Sequence, residues 1–190
     1  MSTEALAQAF ADTRGVLVNV TPDQLDLPTP CASWKVRDIV NHIVGGSQWF
    51  AASVTAGESP VIEESDFSEL ADGDFVAEFD KGVAASVAAF GAPGAQEKMV
   101  KLPFGTMPGS AFMGLATTDT FTHGWDLAKA TGQSTDLDPT LAEQLLAGSK
   151  MAIQDAFRGE DGKMPFGPEQ QASDGASAAD RLAAFLGRKV

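Results

Sequence analysis

The spacing of apolar residues constrains the fold of this chain more than any other feature. Leu6, Phe10 and Leu17 recur at helical intervals, and similar segments follow along the chain. Proline and glycine separate these segments, and stretches that alternate in the manner of a strand are short and weak. Five or six amphipathic helices with little strand signal predict an all-α fold, packed as a helical bundle.

Capping residues and helix breakers define the predicted helices. Ser33 is the predicted N-cap of the second helix, and Asp138 caps the fifth, with Pro139 in its first position. Segment 97–109 alternates weakly and contains proline and glycine, so it is either a short hairpin or an irregular connector. The predicted helices cover residues 3–20, 34–54, 73–92, 110–132 and 138–159, followed by a short C-terminal tail helix near 177–187. All of them are assigned to a single domain, residues 1–190.

The charge balance and the composition exclude several classes of partner. The 190 residues carry a net charge of −13 at pH 7, which repels phosphate backbones, so nucleic acid is not an expected partner. No run of 18 apolar residues exists, so no membrane span is predicted. The one cysteine, and an N-terminus without the basic segment of a signal peptide, predict a cytoplasmic protein.

Two polar residues interrupt the apolar face of the fourth predicted helix. Asp119 and His123 are one helical turn apart and therefore lie on the same face. The stripe continues through Phe112, Ala116 and Leu127, so both polar side chains are expected to point inward. A buried carboxylate is costly unless a proton, a cation or hydrogen bonds compensate it.

The other histidine of the chain, His42, lies on the second predicted helix beside an apolar stripe. Gly45 and Gly46 follow within about one turn, at a cost of roughly 1 kcal/mol each relative to alanine. This pair indicates either a vacancy beside His42, for a substrate or a water, or close packing against a neighbouring helix. The residues alone do not separate these two interpretations.

His42, Asp119 and His123 form a usable donor set for a divalent metal, because two imidazoles and one carboxylate suit zinc, nickel or iron. Three protein ligands would leave one position open, as in catalytic zinc sites. The D-x-x-x-H spacing is common in helices, so a hydrogen-bonded core histidine remains the alternative. Cys31 is a soft ligand, a reactive thiol or, as favoured here, a small buried hydrophobe. Arg37 is favoured as a surface residue over an anion-binding one.

Three blocks of the sequence resemble a known family: TPCASWKVRDIVNHIVGG, DTFTHGWDLAKATG and DRLAAFLGR. They resemble the actinobacterial branch of the DinB-like metal-binding superfamily, which includes the N-terminal domain of mycothiol-dependent maleylpyruvate isomerase. The resemblance implies a four-helix bundle of DinB type. The residue pattern adds short extra helices and, if segment 97–109 is not an irregular connector, a small hairpin. The resemblance also implies a divalent metal, zinc or nickel, at one end of the bundle.

The resemblance assigns His42 and His123 as metal ligands, with a third ligand one turn before His123. The isomerase has a glutamate at that position, and many relatives have a histidine. This chain has Asp119, whose shorter side chain leaves direct ligation and ligation through a water both open. Asp126, three residues after His123, either supports a ligand, faces solvent or pairs with Lys129.

The resemblance further implies metal-dependent transfer of a low-molecular-weight thiol, with mycothiol as co-substrate, to a small electrophile. The isomerase reaction itself is not expected, because the isomerase carries a sizeable C-terminal domain and little sequence follows the fifth helix here. The alternative function is a non-catalytic metal-binding sensor or interaction domain, and the relatives suggest a homodimer. An iron oxygenase of the 2-His-1-carboxylate type uses the same donor set but normally sits on a β scaffold, so it ranks below both.

Overall fold

The computed structural model describes residues 2–61, 68–160 and 163–190 of the chain. It is mostly helical with one small hairpin, which confirms the predicted all-α fold. The helices are α1 Thr3–Leu17, α2 Val36–Ala56, α3 Phe75–Gly91, α4 Gly109–Ala130, α5 Pro139–Ala152 and α6 Ala178–Phe185, and the strands are β1 Met99–Leu102 and β2 Gly105–Pro108. None of the described helices is both long and apolar enough to cross a membrane.

The first four helices form the bundle. α1 packs against α4 and α3, and α2 packs against α3 and α4, so the consecutive helices α1 and α2 lie at opposite corners. Aromatic rings fill the space between the helices, as when Phe10 meets Phe79 edge to face at 5.8 Å and Phe90 meets Phe112 at 5.6 Å. α5 and α6 pack against each other on the outside, where α5 touches α1 and α6 touches α4.

Two glycines allow neighbouring helices of the bundle to approach closely. A side chain at Gly124 on α4 would overlap Thr13 of α1, and one at Gly82 on α3 would overlap Ser47 of α2. Buried hydroxyl groups bond across the same contacts. Thr13 Oγ1 donates to the carbonyl of Thr120 at 2.9 Å, and Ser86 Oγ donates to the carbonyl of Ser47 at 2.6 Å. These contacts set the spacing of α1 against α4 and of α2 against α3.

The segment before α4 is a hairpin, which decides between the two predicted possibilities. β1 and β2 pair antiparallel, with Met99 opposite Pro108 and Leu102 opposite Gly105. The outer edge of β1 also forms hydrogen bonds with the chain that follows α2. The N–H of Lys101 donates to the carbonyl of Gly57 at 2.9 Å, which ties the hairpin to the end of α2.

The predicted start of the second helix is wrong by two residues. Ser33 does not cap it, because α2 begins at Val36 with Lys35 as its N-cap. The first N–H groups of α2 donate instead to the preceding loop: Val36 to the carbonyl of Leu27 at 3.0 Å, and Arg37 to the carbonyl of Leu25 at 2.9 Å. Backbone carbonyls of the loop therefore accept the hydrogen bonds that a Ser33 side chain was expected to accept.

The predicted end of the fifth helix is also wrong. α5 begins as expected, with Asp138 accepting from the N–H of Leu141 at 2.7 Å, but it ends at Ala152 rather than near residue 159. The chain beyond it is held by tertiary contacts. Arg158 donates to the carbonyls of Gly167 and Phe185 at 3.0 and 2.8 Å, which draws this segment onto α6 and away from the axis of α5.

Candidate metal centre

Packing of α2 against α4 brings the three predicted ligands together. His42 Nε2 lies 3.2 and 3.1 Å from the two carboxylate oxygens of Asp119, although the residues are far apart in sequence. His123 Nε2 lies 3.7 Å from Asp119 Oδ1 on the same helix. One donor atom from each of the three residues lies within 4.8 Å of the others. The carboxylate therefore reaches both imidazoles despite its short side chain.

These separations fit a bound divalent ion. Zinc is bound at about 2.0–2.2 Å by imidazole nitrogen and carboxylate oxygen, so two ligands of a tetrahedral ion lie roughly 3.4 Å apart. The distances from the Asp119 carboxylate to His42 Nε2 and His123 Nε2, 3.1 and 3.7 Å, lie on either side of that value. The cluster is also open to solvent, because 34% of the His42 side chain and 25% of the Asp119 side chain remain exposed.

The pKa values of His42 and Asp119 are shifted by the opposite charges of the two groups. Burial disfavours the charged form of both groups, but the ion pair outweighs it. The pKa of His42 is raised above its ordinary value by the charge and the hydrogen bond of Asp119. The pKa of Asp119 is lowered by His42, with smaller contributions from His123 and Arg188. Asp119 is therefore anionic at neutral pH, which is the state that binds a cation.

Asp126 orients His123 from behind. Its Oδ2 lies 3.0 Å from His123 Nδ1, and the carboxylate is fully buried. Because a carboxylate accepts, this contact places a ring proton on Nδ1, so that Nε2 is the nitrogen that faces Asp119. Among the roles considered for Asp126, the structure thus selects support of a predicted ligand over solvent exposure or pairing with Lys129.

Arg188 completes this group and was not among the predicted site residues. Its guanidinium donates to both oxygens of Asp126, at 3.2 and 3.0 Å, from the segment after α6. Burial alone would raise the pKa of Asp126, but Arg188 and the hydrogen bond with His123 lower it to about 2. The only signal in the sequence was that Arg188 ends the quoted block DRLAAFLGR.

Cys31 is not the small buried hydrophobe that was favoured. It is only partly buried, with Sγ 3.3 Å from Arg188 Nη2 and 3.4 Å from Asp126 Oδ2. Donor atoms of Cys31, His123 and Asp126 also lie within 4.8 Å of one another. The guanidinium of Arg188 already supplies the positive charge at that position.

Two other sequence features have plain outcomes. Arg37 forms an ion pair with Asp72 at 2.9 Å on the surface, as favoured. A side chain added at Gly46 would make ordinary contact, at 3.7 Å, with Phe50 of its own helix. Neither a vacancy nor a close helix contact is therefore evident at Gly46, and its neighbour Gly45 is buried.

Trp34 covers the two histidines and was also missed. The centroid of its ring system lies 4.8 Å from that of His42 and 5.2 Å from that of His123, and the two imidazoles are 4.7 Å apart. Trp34 lies in the turn before α2. Its backbone N–H donates to the carbonyl of Cys31 at 2.8 Å. Its presence in the block TPCASWKV gave no indication of this contact.

The fold and the cluster define a class of protein: a helical bundle with a candidate 2-His-1-carboxylate centre between two of its helices. Residues 6–128, which include that cluster, match the family described as mycothiol maleylpyruvate isomerase N-terminal domain. This chain belongs to that family, which confirms the resemblance seen in the sequence.

Two full-length relatives are known from Mycobacterium tuberculosis. Over 194 residues the chain is 42% identical to uncharacterized protein Rv0738 of strain ATCC 25618 / H37Rv, with 100% of this chain and 97% of that protein covered. Uncharacterized protein MT0763 of strain CDC 1551 / Oshkosh matches to the same extent. No solved structure matches the chain significantly.

Proposed function

We propose that this protein binds a divalent metal through His42, Asp119 and His123 and transfers a low-molecular-weight thiol of the mycothiol type to a small electrophile. The observation that carries the proposal is the convergence of two imidazoles and an anionic carboxylate within 4.8 Å of one another. Membership of a mycothiol-related family supports the thiol. Zinc, nickel and iron all suit this donor set, and the resemblance to DinB-like relatives favours zinc or nickel.

In this proposal the three residues act as ligands, while their neighbours keep them in the binding state. A divalent cation at this position would lower the pKa of a thiol that binds it, so that a thiolate is available at neutral pH. Asp126 holds the proton of His123 on Nδ1, and Arg188 keeps Asp126 ionised. The exposed sides of His42 and Asp119 face the solvent from which thiol and electrophile would enter.

We further propose that the protein acts in the cytoplasm. A reducing compartment keeps low-molecular-weight thiols in the reduced form that this transfer needs. Cys31, which is partly exposed beside Arg188, would also be kept reduced there.

Metal content tests the first half of the proposal. We expect protein purified without a histidine tag to contain close to one zinc or nickel ion per chain, measured by mass spectrometry. His123→Ala and Asp119→Asn should lose that metal. Asp136→Asn, which changes an exposed carboxylate outside the cluster, is the matched control and should retain it. Equal metal content in all four proteins, or none in any, contradicts the assignment.

A thiol-transfer assay tests the second half. A cysteine-based thiol is supplied in excess with a haloarene or an epoxide. The thioether should form, with release of halide or opening of the epoxide ring to an alcohol, only when the protein is loaded with metal. Metal binding without transfer would instead support the non-catalytic sensor or interaction domain. Turnover that needs oxygen and no thiol would point to the iron oxygenase.

A further inference from the structure

The two candidate histidine ligands are anchored in different ways. His123 is held from behind, because its Nδ1 bonds to the buried carboxylate of Asp126 at 3.0 Å. Histidines that bind metals almost always have such a partner on the second ring nitrogen, which fixes the orientation of the ring. Within the described part of the chain, the hydrogen bonds of the His42 ring are made by Nε2, and both go to Asp119.

The contact between His42 and Asp119 cannot take the place of that anchor. It uses Nε2, the nitrogen that faces the cluster, and a nitrogen that donates a proton to Asp119 has no lone pair left for a metal. The contact therefore restrains only the Nε2 edge of the ring in the metal-free protein, and it has to change when a metal binds. A group that restrains the ring in both states has to contact it at another position.

Trp34 is the group placed to do so. Its ring system lies 4.8 Å from the imidazole of His42, at an interplanar angle of 47°. The turn that carries it is itself braced, because Thr29 Oγ1 donates toward the carbonyls of Trp34 and Cys31 at 2.8 and 2.9 Å. Pairs of aromatic rings at this separation attract each other beyond simple burial.

Resting on the proposed metal binding, we infer that Trp34 is a positioning residue for His42, holding its imidazole by a tilted aromatic contact where His123 is held by a hydrogen bond. The indole also closes one side of the cluster, since it packs against His123 at 5.2 Å. The role belongs to the ring and not merely to its apolar bulk, so a second aromatic residue should retain it and an aliphatic one should not.

Three variants separate positioning from a general packing effect. Trp34→Leu keeps apolar bulk without a ring, and Trp34→Phe keeps a smaller ring. Trp49→Leu is the matched control: Trp49 is also half-buried on α2, and its ring packs on Phe50 and Phe112 rather than on a histidine. Far-ultraviolet circular dichroism establishes that each variant is folded. If Trp34→Leu is not folded, Trp34→Met takes its place.

The first measurement is metal affinity by competition with a chelator. We expect Trp34→Leu to bind zinc roughly tenfold more weakly than the wild type, a loss at the lower end of those seen for supporting residues of metal sites. Trp34→Phe should stay within about threefold of the wild type, because a ring pair remains. Trp49→Leu should leave the affinity unchanged. An unchanged affinity in Trp34→Leu, or an equal loss in Trp49→Leu, overturns the inference.

The second measurement needs no metal. The chain has only two histidines, so carbon-13 relaxation of their rings can be assigned with a single His42→Gln variant. In metal-free Trp34→Leu we expect the His42 ring to become more mobile, while the ring of His123 stays restrained by Asp126. Equal mobility of the His42 ring in wild type and variant, or equal loosening of both rings, overturns the inference. If the wild type binds no metal, the proposed function fails, and this measurement still decides the role of Trp34.

Discussion

Asp126 is the residue on which the internal contacts of the cluster converge. It binds His123 Nδ1 at 3.0 Å, takes two bonds from Arg188 and lies 3.4 Å from Cys31 Sγ. Its side chain has no exposure to solvent, and that of Arg188 has little. A buried ion pair of this kind is most costly when one partner is removed and the other stays.

We therefore expect Asp126→Asn to lower both stability and metal affinity. The free energy of unfolding should fall by about 3 kcal/mol, because the variant leaves the guanidinium of Arg188 buried without its counter-charge. Metal affinity should fall roughly 10–100-fold, since His123 loses its anionic partner. Denaturant unfolding and chelator competition measure the two effects. Asp136→Asn is the control, and a variant as stable as the wild type would contradict the prediction.

The lowered pKa of Asp126 also predicts that the stability of the metal-free protein depends on pH. The pKa of Asp126 falls from an ordinary 3.8 to about 2 on folding, so its contribution is complete above the unfolded value and is lost as the pH falls through the folded one. The difference in unfolding free energy between wild type and Asp126→Asn should be constant above about pH 5 and shrink between about pH 4 and pH 2. A difference in unfolding free energy that increases as the pH falls would contradict this prediction.

α4 is the element that carries most of the cluster, and it also makes a close helix contact with α1. Asp119, His123 and Asp126 lie on it within two turns, and Gly124 allows Thr13 of α1 to pack against its backbone. A shift of α4 against its neighbours would move all three polar side chains together. The helix contact and the geometry of the cluster are therefore coupled.

Gly124→Ala tests that coupling. The new methyl group would overlap Thr13, so we expect a loss of about 1–3 kcal/mol in unfolding free energy, as for other overpacked sites. Gly148→Ala on α5 is the control, because a side chain there meets open space. It should stabilise the protein by up to about 1 kcal/mol through helix propensity alone. Thermal or denaturant unfolding of both variants gives the comparison, and equal effects of the same sign would rule out the helix contact.

Segments that are far apart in the chain meet around the cluster. The loop before α2 contributes Cys31 and Trp34, while the segment after α6 contributes Arg188. Folding and assembly of the cluster should therefore occur together. The single domain over residues 1–190 and the homodimer stay predictions, which one cooperative unfolding transition and light scattering would test.

Metal binding should stabilise the entire fold. A ligand that binds only the native state adds about 2.7 kcal/mol when its free concentration is about 100 times its Kd. Zinc or nickel should therefore raise the Tm of the wild type and leave that of a His42→Ala, His123→Ala double variant unchanged. Differential scanning fluorimetry suffices for the comparison. An equal rise in both proteins would mean that the metal binds elsewhere.

Helices and candidate ligands were predictable because their signals are local or repeat along one helix. The cap at Asp138 and the periodic apolar residues of α4 need no knowledge of the rest of the chain. The one-turn spacing of Asp119 and His123 likewise placed both on a single face. His42 was a candidate because it is the other histidine of the chain and lies beside an apolar stripe, but no local pattern ties it to α4. The resemblance to a family supplied that link.

The remaining features depend on contacts between residues that are distant in sequence. α2 begins late because carbonyls of the preceding loop receive its first N–H groups, and α5 ends early because Arg158 is bound to the chain around α6. Arg188 is placed beside Asp126 by the packing of α6 against α4. Helix periodicity carries no information about such partners, because hydrogen bonds and ion pairs across the fold are set by packing rather than by neighbours in the chain.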